Sequence, residues 1–344
     1  MQNNNKIFII LKDLKKLSKK KYLKFFKGKI ITITGASGLI GQYFFFLFYI
    51  LLDTKNSPKK IYITSKNPLP LYFNLFKKNS KIVFLKLNLT TKELYRIKKS
   101  HIIIHAAGYG QPGKFLNYPF ETFKLNTQVT EHLLGLVKKN GSFLFISSSE
   151  LYSGLNKDYF ENQELLTNLE NNRSIYIEAK KIGENIVKKF KKKINSKSIR
   201  LCLCYGPGTK KNDERILNKL IQRGLLDNKI LLMDKGKDIR SYIYITDAIE
   251  MMLNILIKGR SNMYNVGGKA RTTIFNLAEL ISRKTKKKIF INEKKSLIKN
   301  NAPKKAYVDI KKYESEFGKK KFINLNDGLL RTILWQKKLY LKKK

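Results

Sequence analysis

The chain has 344 residues, 42% of them hydrophobic, which is enough to bury a large core in one large domain or two modest ones. Its formal charge of +46 would suit a protein that binds nucleic acid or an anionic membrane. Only 10 of the 71 basic residues are arginine, however, and the lysines are spread from Lys6 to Lys344. Because this dispersion is typical of a solvated surface, we expect no specific nucleic-acid partner. The positive field would still favour anionic small molecules.

The first 27 residues predict an amphipathic, basic helical extension that ends at Gly28. Its apolar positions would pack on the rest of the protein or on a partner, or touch a membrane surface. The start of the chain lacks the cleavage-type end of a signal peptide. The apolar run 43–52 is too short to cross a membrane, so we expect a buried helix there and no transmembrane segment.

From residue 30 onward, predicted strands alternate with predicted helices. The strands are expected at 30–34, 60–64, 81–87, 102–105, 142–147 and 199–204, and the helices at 39–52, 126–139 and 175–191. This alternation predicts an α/β fold with a doubly wound parallel sheet of the Rossmann type. We assign 28–205 to a dinucleotide-binding domain and 206–344 mainly to a smaller C-terminal substrate-binding lobe, with segments at about 239–260 returning to the first domain.

A glycine-spaced turn follows the first strand. Gly35, Gly38 and Gly41 would allow a tight turn, a close approach of backbone amides to a pyrophosphate, and close packing of helix on strand. A strand before the turn and an apolar helix after it are the context that a nucleotide site requires. The residues expected to bind the dinucleotide here are Gly35, Ser37, Gly38, Leu39, Ile40 and Gly41.

The second strand ends without the carboxylate that commonly binds an adenosine ribose. Ser65 and Lys66 stand there instead, and a basic residue at this place is typical of a site for a ribose 2′-phosphate. Lys66 is equally compatible with an ordinary surface lysine. The cofactor is therefore expected to be NAD, with NADP left open.

A tyrosine and a lysine four residues apart share one face of the helix at 175–191. Tyr176 can accept the proton of an alcohol if its pKa is lowered, and the nearby Lys180 ammonium, together with the nicotinamide charge, would lower it. Lys180 can also hold the nicotinamide ribose. The hydroxyl cluster at 147–149 follows a strand, where ligands of such sheets collect, and can hydrogen-bond the same alcohol.

The chain has two cysteines and three histidines, the residue types that commonly bind metal ions. Cys202 and Cys204 lie in one predicted strand, and no second pair exists to build a zinc site, so buried free thiols in a reducing cytoplasm are expected. The histidines are too dispersed for a metal site, and His105 is expected to pack at a strand end. We predict no metal.

Taken in order, these stretches resemble the extended short-chain dehydrogenase/reductase family, in its nucleotide-sugar epimerase/dehydratase branch, over about residues 28–330. The stretches that carry the resemblance are the glycine turn, His105-Ala106-Ala107-Gly108, Leu125-Asn126-Thr127, Ser147-Ser148-Ser149-Glu150-Leu151-Tyr152, Arg173 to Lys180, Tyr205-Gly206-Pro207-Gly208, Arg240 to Asp247, and Tyr264-Asn265-Val266-Gly267-Gly268.

The resemblance implies roles for several of these residues. Ser148, Tyr176 and Lys180 would be the catalytic triad, with Glu150 assisting at C5 and C6 of a sugar. Ala106 and Ala107 would line the cofactor site. Residues expected to contact a nucleotide-sugar substrate are Ser149, Arg173, Arg215 and Arg240, of which the last two would meet its diphosphate. The family also implies a homodimer formed through two helices per subunit.

The pair Ser149-Glu150 separates the branches of the family. The family's 4,6-dehydratases have Asp-Glu there, and the aspartic acid protonates a departing hydroxyl, which Ser149 cannot do. UDP-glucuronate decarboxylases are more similar, with Ser-Glu and an Arg-x-x-Tyr-x-x-x-Lys like Arg173…Tyr176…Lys180. We therefore expect a decarboxylase that makes UDP-xylose. Alternatives are a 4-epimerase or 4,6-dehydratase with another substrate, and a non-catalytic nucleotide-binding homologue. Leu203, where an asparagine is common, and Ala179, where the decarboxylases have glycine, depart from the pattern.

Overall fold

A seven-stranded parallel sheet lies at the centre of the molecule and places the strand ends that border the main cavity. The computed structural model describes residues 2–153, 155, 159–292, 304–319 and 321–341. The strands are β1 (Ile30–Thr34), β2 (Lys60–Ser65), β3 (Ile82–Lys86), β4 (Ser100–His105), β5 (Val137–Ser148), β6 (Asn195–Leu201), β7 (Leu203–Tyr205), β8 (Lys229–Leu232), β9 (Ile239–Tyr244), β10 (Met263–Val266), β11 (Ala270–Thr273), β12 (Lys288–Ile291) and β13 (Lys305–Ala306).

Helices cover both faces of this sheet and connect its strands. They are α1 (Gln2–Leu14), α2 (Leu39–Leu52), α3 (Pro112–Asn117), α4 (Pro119–Asn126), α5 (Gln128–Gly135), α6 (Ser174–Lys189), α7 (Ile216–Leu226), α8 (Ile245–Lys258), α9 (Ile274–Thr285), α10 (Lys311–Phe317) and α11 (Leu325–Tyr340). The apolar run in α2 is almost wholly buried, as predicted. In the part of the chain that the structure describes, no helix combines the length and apolar character needed to span a bilayer.

The central sheet has the strand order β10-β6-β5-β4-β1-β2-β3, which confirms the predicted doubly wound parallel sheet. The chain runs outward from β1 to β3 and then returns to β4 on the other side of β1. Ligands of such sheets bind at this reversal, outside the carboxyl ends of the strands. Thr34 and His105, the last residues of β1 and β4, are direct partners there.

A second, smaller sheet stands at the carboxyl end of β6. It contains β7, β9, β11 and β13, and β8 pairs with β12 beside it. The predicted strand 199–204 is therefore wrong as a single element, because it is interrupted at Cys202 and its two halves belong to different sheets. Backbone pairing with β9, more than 35 residues away, decides this break. The domain boundaries proposed from the sequence stay a prediction.

The N-terminal segment differs from the predicted single helix over 1–27. The α-helix ends at Leu14, and two 3₁₀ segments, Leu17–Lys19 and Lys21–Phe26, follow it. The segment packs on the protein: Leu14, Leu17, Leu23 and Phe26 are buried. Asp13 hydrogen-bonds Tyr244 and pairs with Arg331, which ties α1 to β9 and α11.

The predicted helix over 126–139 is also shorter than expected. It is formed by α5 and ends at Gly135, and β5 already begins at Val137. Val137 pairs with Ser100 of β4 across a β-bulge. Hydrogen bonding to a neighbouring strand overrides the local helical pattern at these residues.

Candidate active site

One cavity of about 810 Å³ opens at the carboxyl ends of the central strands, below the smaller sheet. It is lined by all of the residues predicted to bind cofactor or substrate or to act in catalysis: Gly35, Ser37, Gly38, Leu39, Ile40, Gly41, Ser65, Lys66, Ala106, Ala107, Ser148, Ser149, Glu150, Arg173, Tyr176, Lys180, Arg215 and Arg240. The structure thus brings them together, and the role of each stays a prediction.

The glycine turn has no room for larger side chains. Gly35 has φ +71°, and a Cβ added there would lie 2.6 Å from the carbonyl oxygen of Ala106 and from the amide of Ala107. A Cβ on Gly41 would lie 2.5 Å from the carbonyl oxygen of Gly35. Gly38 is the N-cap of α2, so the positive end of that helix faces the cavity. This cradle fits the pyrophosphate of a dinucleotide.

A chain of hydrogen bonds holds the wall opposite the turn. The Ala107 amide donates to Thr34 Oγ1 at 3.1 Å, and Thr34 Oγ1 lies 2.8 Å from His105 Nδ1. His105 Nε2 lies 3.0 Å from the carbonyl of Leu125, so the neutral tautomer with a proton on Nε2 satisfies every member. Burial lowers the pKa of His105 to about 4. Beyond packing at a strand end, His105 therefore positions Ala107 at the cavity wall.

The end of β2 has the polar groups that the sequence predicts. The Ser65 hydroxyl donates to the carbonyl oxygen of Asn67 at 2.7 Å, which orders its own turn. Lys66 is exposed at the mouth of the cavity. The described residues contribute no carboxylate at the end of this strand, in agreement with the sequence.

The Tyr176 phenol faces the cavity beside Ser148. The Ser148 hydroxyl is near enough to lower the pKa of the phenol, and Ser148 Oγ accepts the amide of Glu150 at 3.2 Å. The ring of Tyr176 stacks on Phe115 of α3 with 4.2 Å between centroids and 15° between planes. Two elements thus hold the phenol in place, and its oxygen lies near a hydroxyl that can orient an alcohol.

Burial dominates the pKa of Tyr176, and its lowering by Lys180 and the nicotinamide charge stays a prediction. Burial raises that pKa above its ordinary value, and the hydrogen bond from Ser148 opposes this only in part. Lys180 Nζ lies 6.0 Å from the centre of the Tyr176 ring and donates to the carbonyl of Ile146 at 2.6 Å. Burial lowers the pKa of Lys180 to about 7, so the Lys180 side chain loses its proton more easily than an ordinary lysine.

Each of the three predicted substrate arginines is bonded to a carboxylate. Arg173 Nη1 donates to both oxygens of Glu150, at 3.0 and 2.9 Å. Arg215 pairs with Asp213 at 2.5 Å, and Arg240 pairs with Asp238 at 2.9 Å. Arg173 and Arg240 are largely buried, whereas about a quarter of the Arg215 side chain is exposed. The sequence analysis did not indicate these carboxylate partners. Asp213 and Asp238 lie two positions before their arginines, whereas Glu150 meets Arg173 across 23 positions.

Sequence reasoning also missed several polar groups of the cavity wall. The hydroxyls of Thr64 and Thr209 are buried without a hydrogen-bond partner among the described residues, and both residues line the cavity. The same holds for Ser147 of the predicted hydroxyl cluster. Lys210, from the loop after β7, donates to Ser37 Oγ at 3.2 Å. These residues stand at or after the ends of predicted strands. Many polar residues of the chain do so, and this position alone did not identify them as site residues. Unsatisfied hydroxyls on a cavity wall are typical of a site that binds a polar ligand.

Comparison with known proteins agrees with this geometry. The model of the NAD dependent epimerase/dehydratase family matches residues 31–267. UDP-glucuronic acid decarboxylase 6 of Arabidopsis thaliana is 24% identical over 324 residues, which cover 89% of this chain and 88% of that protein. UDP-glucuronic acid decarboxylase 1 of Danio rerio is 25% identical over 239 residues, which are 67% of this chain and only 56% of the relative's length. dTDP-D-glucose 4,6-dehydratase of Dictyostelium discoideum is 29% identical over 73% of this chain and 61% of its own length.

Solved structures show the same fold. UDP-glucuronic acid 4-epimerase from Bacillus cereus, in complex with UDP-glucuronic acid and NAD, superposes with a TM-score of 0.75 at 22% identity, covering 90% of this chain and all of that one. dTDP-glucose 4,6-dehydratase from Streptomyces venezuelae gives a TM-score of 0.73 at 18% identity, covering 89% and 96%. These likenesses confirm the predicted fold, and the matching family model confirms NAD as the predicted cofactor.

Proposed function

Because this chain belongs to the NAD-dependent epimerase/dehydratase family, we propose that it is a UDP-glucuronate decarboxylase that makes UDP-xylose. The observation that carries the proposal is the arrangement of Ser149, Glu150 and Arg173 beside Tyr176 in one cavity. Among the proteins similar to this chain, several are named UDP-glucuronic acid decarboxylases.

The triad would act on the hydroxyl at C4 of the sugar. Ser148 orients that hydroxyl, and Tyr176 accepts its proton and later returns it. When bound, NAD supplies the acceptor for the hydride that leaves C4 and gives the hydride back at the end. Tyr176 must lose its proton to act, although burial opposes this. A cationic Lys180 at 6.0 Å from the ring would favour the phenolate once cofactor and substrate occupy the site.

Oxidation at C4 makes the substrate a β-keto acid, since its carboxylate is attached to C5. The bond between C5 and the carboxyl carbon then breaks, CO₂ leaves, and the electron pair moves into an enolate that the groups around the C4 oxygen stabilise. A proton finally adds to C5, and Glu150 is the nearby acid–base group proposed to assist there. No hydroxyl departs in this sequence. A serine at position 149 is therefore sufficient, whereas a dehydration needs an acid at that place.

Arg173 is proposed to hold the carboxylate of the substrate. Only its Nη1 contacts Glu150, and among the described residues no hydrogen bond to Nη2 or Nε of Arg173 is found. Those donors remain for a second carboxylate, which a planar guanidinium can bind alongside the first. The position over the Phe115 ring, 5.6 Å from its centre, keeps the guanidinium near Tyr176.

The test is to incubate the purified protein with UDP-glucuronate, with and without added NAD, and to measure CO₂ and pentose nucleotide. We expect both products in equal amounts, and neither product from Arg173→Gln at the same substrate concentration. Lys181→Gln is the matched control, because Lys181 lies on the same helix and does not line the cavity. Conversion of UDP-glucuronate to UDP-galacturonate, or turnover of UDP-glucose or dTDP-glucose without CO₂, would reject the decarboxylase in favour of an epimerase or dehydratase. Absence of any turnover would favour a nucleotide-binding homologue.

We further propose that the protein is a homodimer formed through α4 and α6, which pack on each other. Large apolar side chains on these helices are exposed in the single chain, among them Phe120 at 83%, Ile175 at 45% and Ile182 at 37%. Burial of such a face against a second copy would remove it from water. The molar mass in solution tests this, and a mass of about 40 kDa at micromolar concentration would reject it.

We place the protein in the cytoplasm. Cys202 and Cys204 are free, buried thiols, which agrees with a reducing compartment. Cell fractionation tests this location.

A further inference from the structure

The loop between β7 and α7 brings a single ammonium group to the glycine turn. Lys210 Nζ lies 3.2 Å from the hydroxyl of Ser37, although 173 positions separate the two residues. Ser37 directly precedes Gly38, the N-cap of α2. The ammonium therefore lies within one residue of the helix end at which a dinucleotide pyrophosphate binds.

The residues that lead into Lys210 are held by two buried side chains, although Lys210 itself is exposed. Gln42 Nε2 donates to the carbonyl oxygens of Ser37 and Gly208, at 3.2 Å each, and so joins the turn to the loop. Trp335 Nε1 donates to the carbonyl of Thr209 at 3.0 Å from the other side. These contacts are made by buried side chains, and they fix the backbone of the two residues directly before Lys210.

Lys210 forms no ion pair with a carboxylate among the residues that the structure describes. The carboxylate of Asp213, which acts on Lys210 from the same loop, is bonded to Arg215. Partial burial and the neighbouring cation Lys114 both lower the pKa of Lys210. An anion bound between these two lysines would remove their repulsion.

We propose that Lys210 binds a phosphate group of the dinucleotide cofactor and closes the side of the phosphate site that the glycine turn leaves open. The inference rests on the cofactor of the family and not on which sugar the enzyme modifies. Two phosphates have this chemistry: the pyrophosphate, present in NAD and NADP, and the ribose 2′-phosphate, present in NADP alone. The pyrophosphate is the better match, because it occupies the helix end beside which Lys210 stands.

The experiment measures dissociation constants by calorimetry for NAD, NADP, ADP and adenosine with the full-length protein. In Lys210→Met we expect NAD and ADP to bind about tenfold to a hundredfold more weakly, the loss typical of one charge-assisted hydrogen bond. Adenosine, which has no phosphate, should bind as before. Lys210→Arg should recover most of the affinity.

Lys211→Met is the matched control. It removes one positive charge from the same loop, but Lys211 contacts the ring of Tyr340 and does not line the cavity. We expect its affinities to equal those of the unaltered protein. Thermal unfolding of both variants shows whether the loop stays folded, and Lys210→Gln replaces Lys210→Met if the latter is unstable.

The outcomes separate the two phosphates and the opposing explanation. Similar weakening of NAD and NADP assigns Lys210 to the pyrophosphate, and weakening of NADP alone assigns it to the 2′-phosphate. Unchanged affinity for all ligands overturns the proposal, and so does an equal loss for adenosine and ADP, which would mean that Lys210 only supports the loop. None of these measurements needs turnover, so a failure of the decarboxylase proposal leaves them interpretable.

Discussion

The two ends of the cavity both carry positive charge, but in different forms. At the cofactor end, Lys210 lies beside the glycine turn without a carboxylate partner among the described residues. At the sugar end, Arg173, Arg215 and Arg240 are each bonded to an acidic side chain. An uncompensated cation binds an anion with little rearrangement. A paired guanidinium must share its donors with the ligand or exchange one carboxylate for another.

This difference suits the two ligands. A cofactor that stays bound through the reaction is served by a fixed, preformed phosphate site. A substrate must leave as product, and arginines that keep a carboxylate partner suit such a ligand. After the product is released, no buried guanidinium is then left without a counter-charge.

The largest effect is expected from Tyr176→Phe. Removal of the phenolic oxygen leaves the ring on Phe115 but takes away the group that moves the proton, so turnover should fall by about a hundredfold to ten-thousandfold. NAD and UDP should bind with unchanged affinity, since neither end of the cavity is altered. Rates from single-turnover kinetics and affinities from calorimetry check this. Equal losses of rate and of NAD affinity would show instead that the phenol is part of the cofactor end.

The next effect is the contribution of His105, at the cofactor end, to the free energy of unfolding, and the dependence of that contribution on pH. Folding lowers the pKa of His105 from about 6.5 to about 4, so the unfolded chain binds more protons between these values. Stability from this residue should therefore be complete above pH 6.5 and fall by about 3 kcal/mol as the pH decreases to 4.

Urea unfolding of the unaltered protein and of His105→Gln at several pH values measures this effect. The difference in unfolding free energy between the two proteins should shrink between pH 6.5 and 4, because the other titrating groups cancel. A difference that does not change with pH would mean that His105 is not held neutral. The hydrogen bonds that link Leu125, His105, Thr34 and Ala107 would then not be what fixes this side of the cofactor cavity.

The smallest effect is expected at the sugar end, where a carboxylate competes with the substrate. Asp238→Asn frees Arg240 and should tighten the binding of UDP up to about fivefold, the range of one partly exposed ion pair. Arg240→Gln should weaken it. Calorimetric titration with UDP measures both. Weaker binding by Asp238→Asn would contradict the contrast drawn above, since Asp238 would then orient Arg240 for the ligand and not compete with it.

Local patterns determined much of this molecule. The alternation of apolar strands and helices, and the glycines at 35, 38 and 41, depend on neighbours within a few residues, so the Rossmann sheet and its phosphate turn could be predicted. The four-residue spacing of Tyr176 and Lys180 likewise follows from the pitch of one helix. The family resemblance added the three arginines Arg173, Arg215 and Arg240, and the structure lines one cavity with every predicted site residue.

Only the tertiary structure decided which distant side chains meet and where the elements break. The end of β6 at Cys202 depends on pairing with β9, and the early start of β5 depends on Ser100 of β4. Lys210 meets Ser37 across 173 positions, Lys180 donates to the carbonyl of Ile146, and burial raises the pKa of Tyr176. Such contacts depend on distance in space and on desolvation, and neither is encoded by the spacing of residues along the chain.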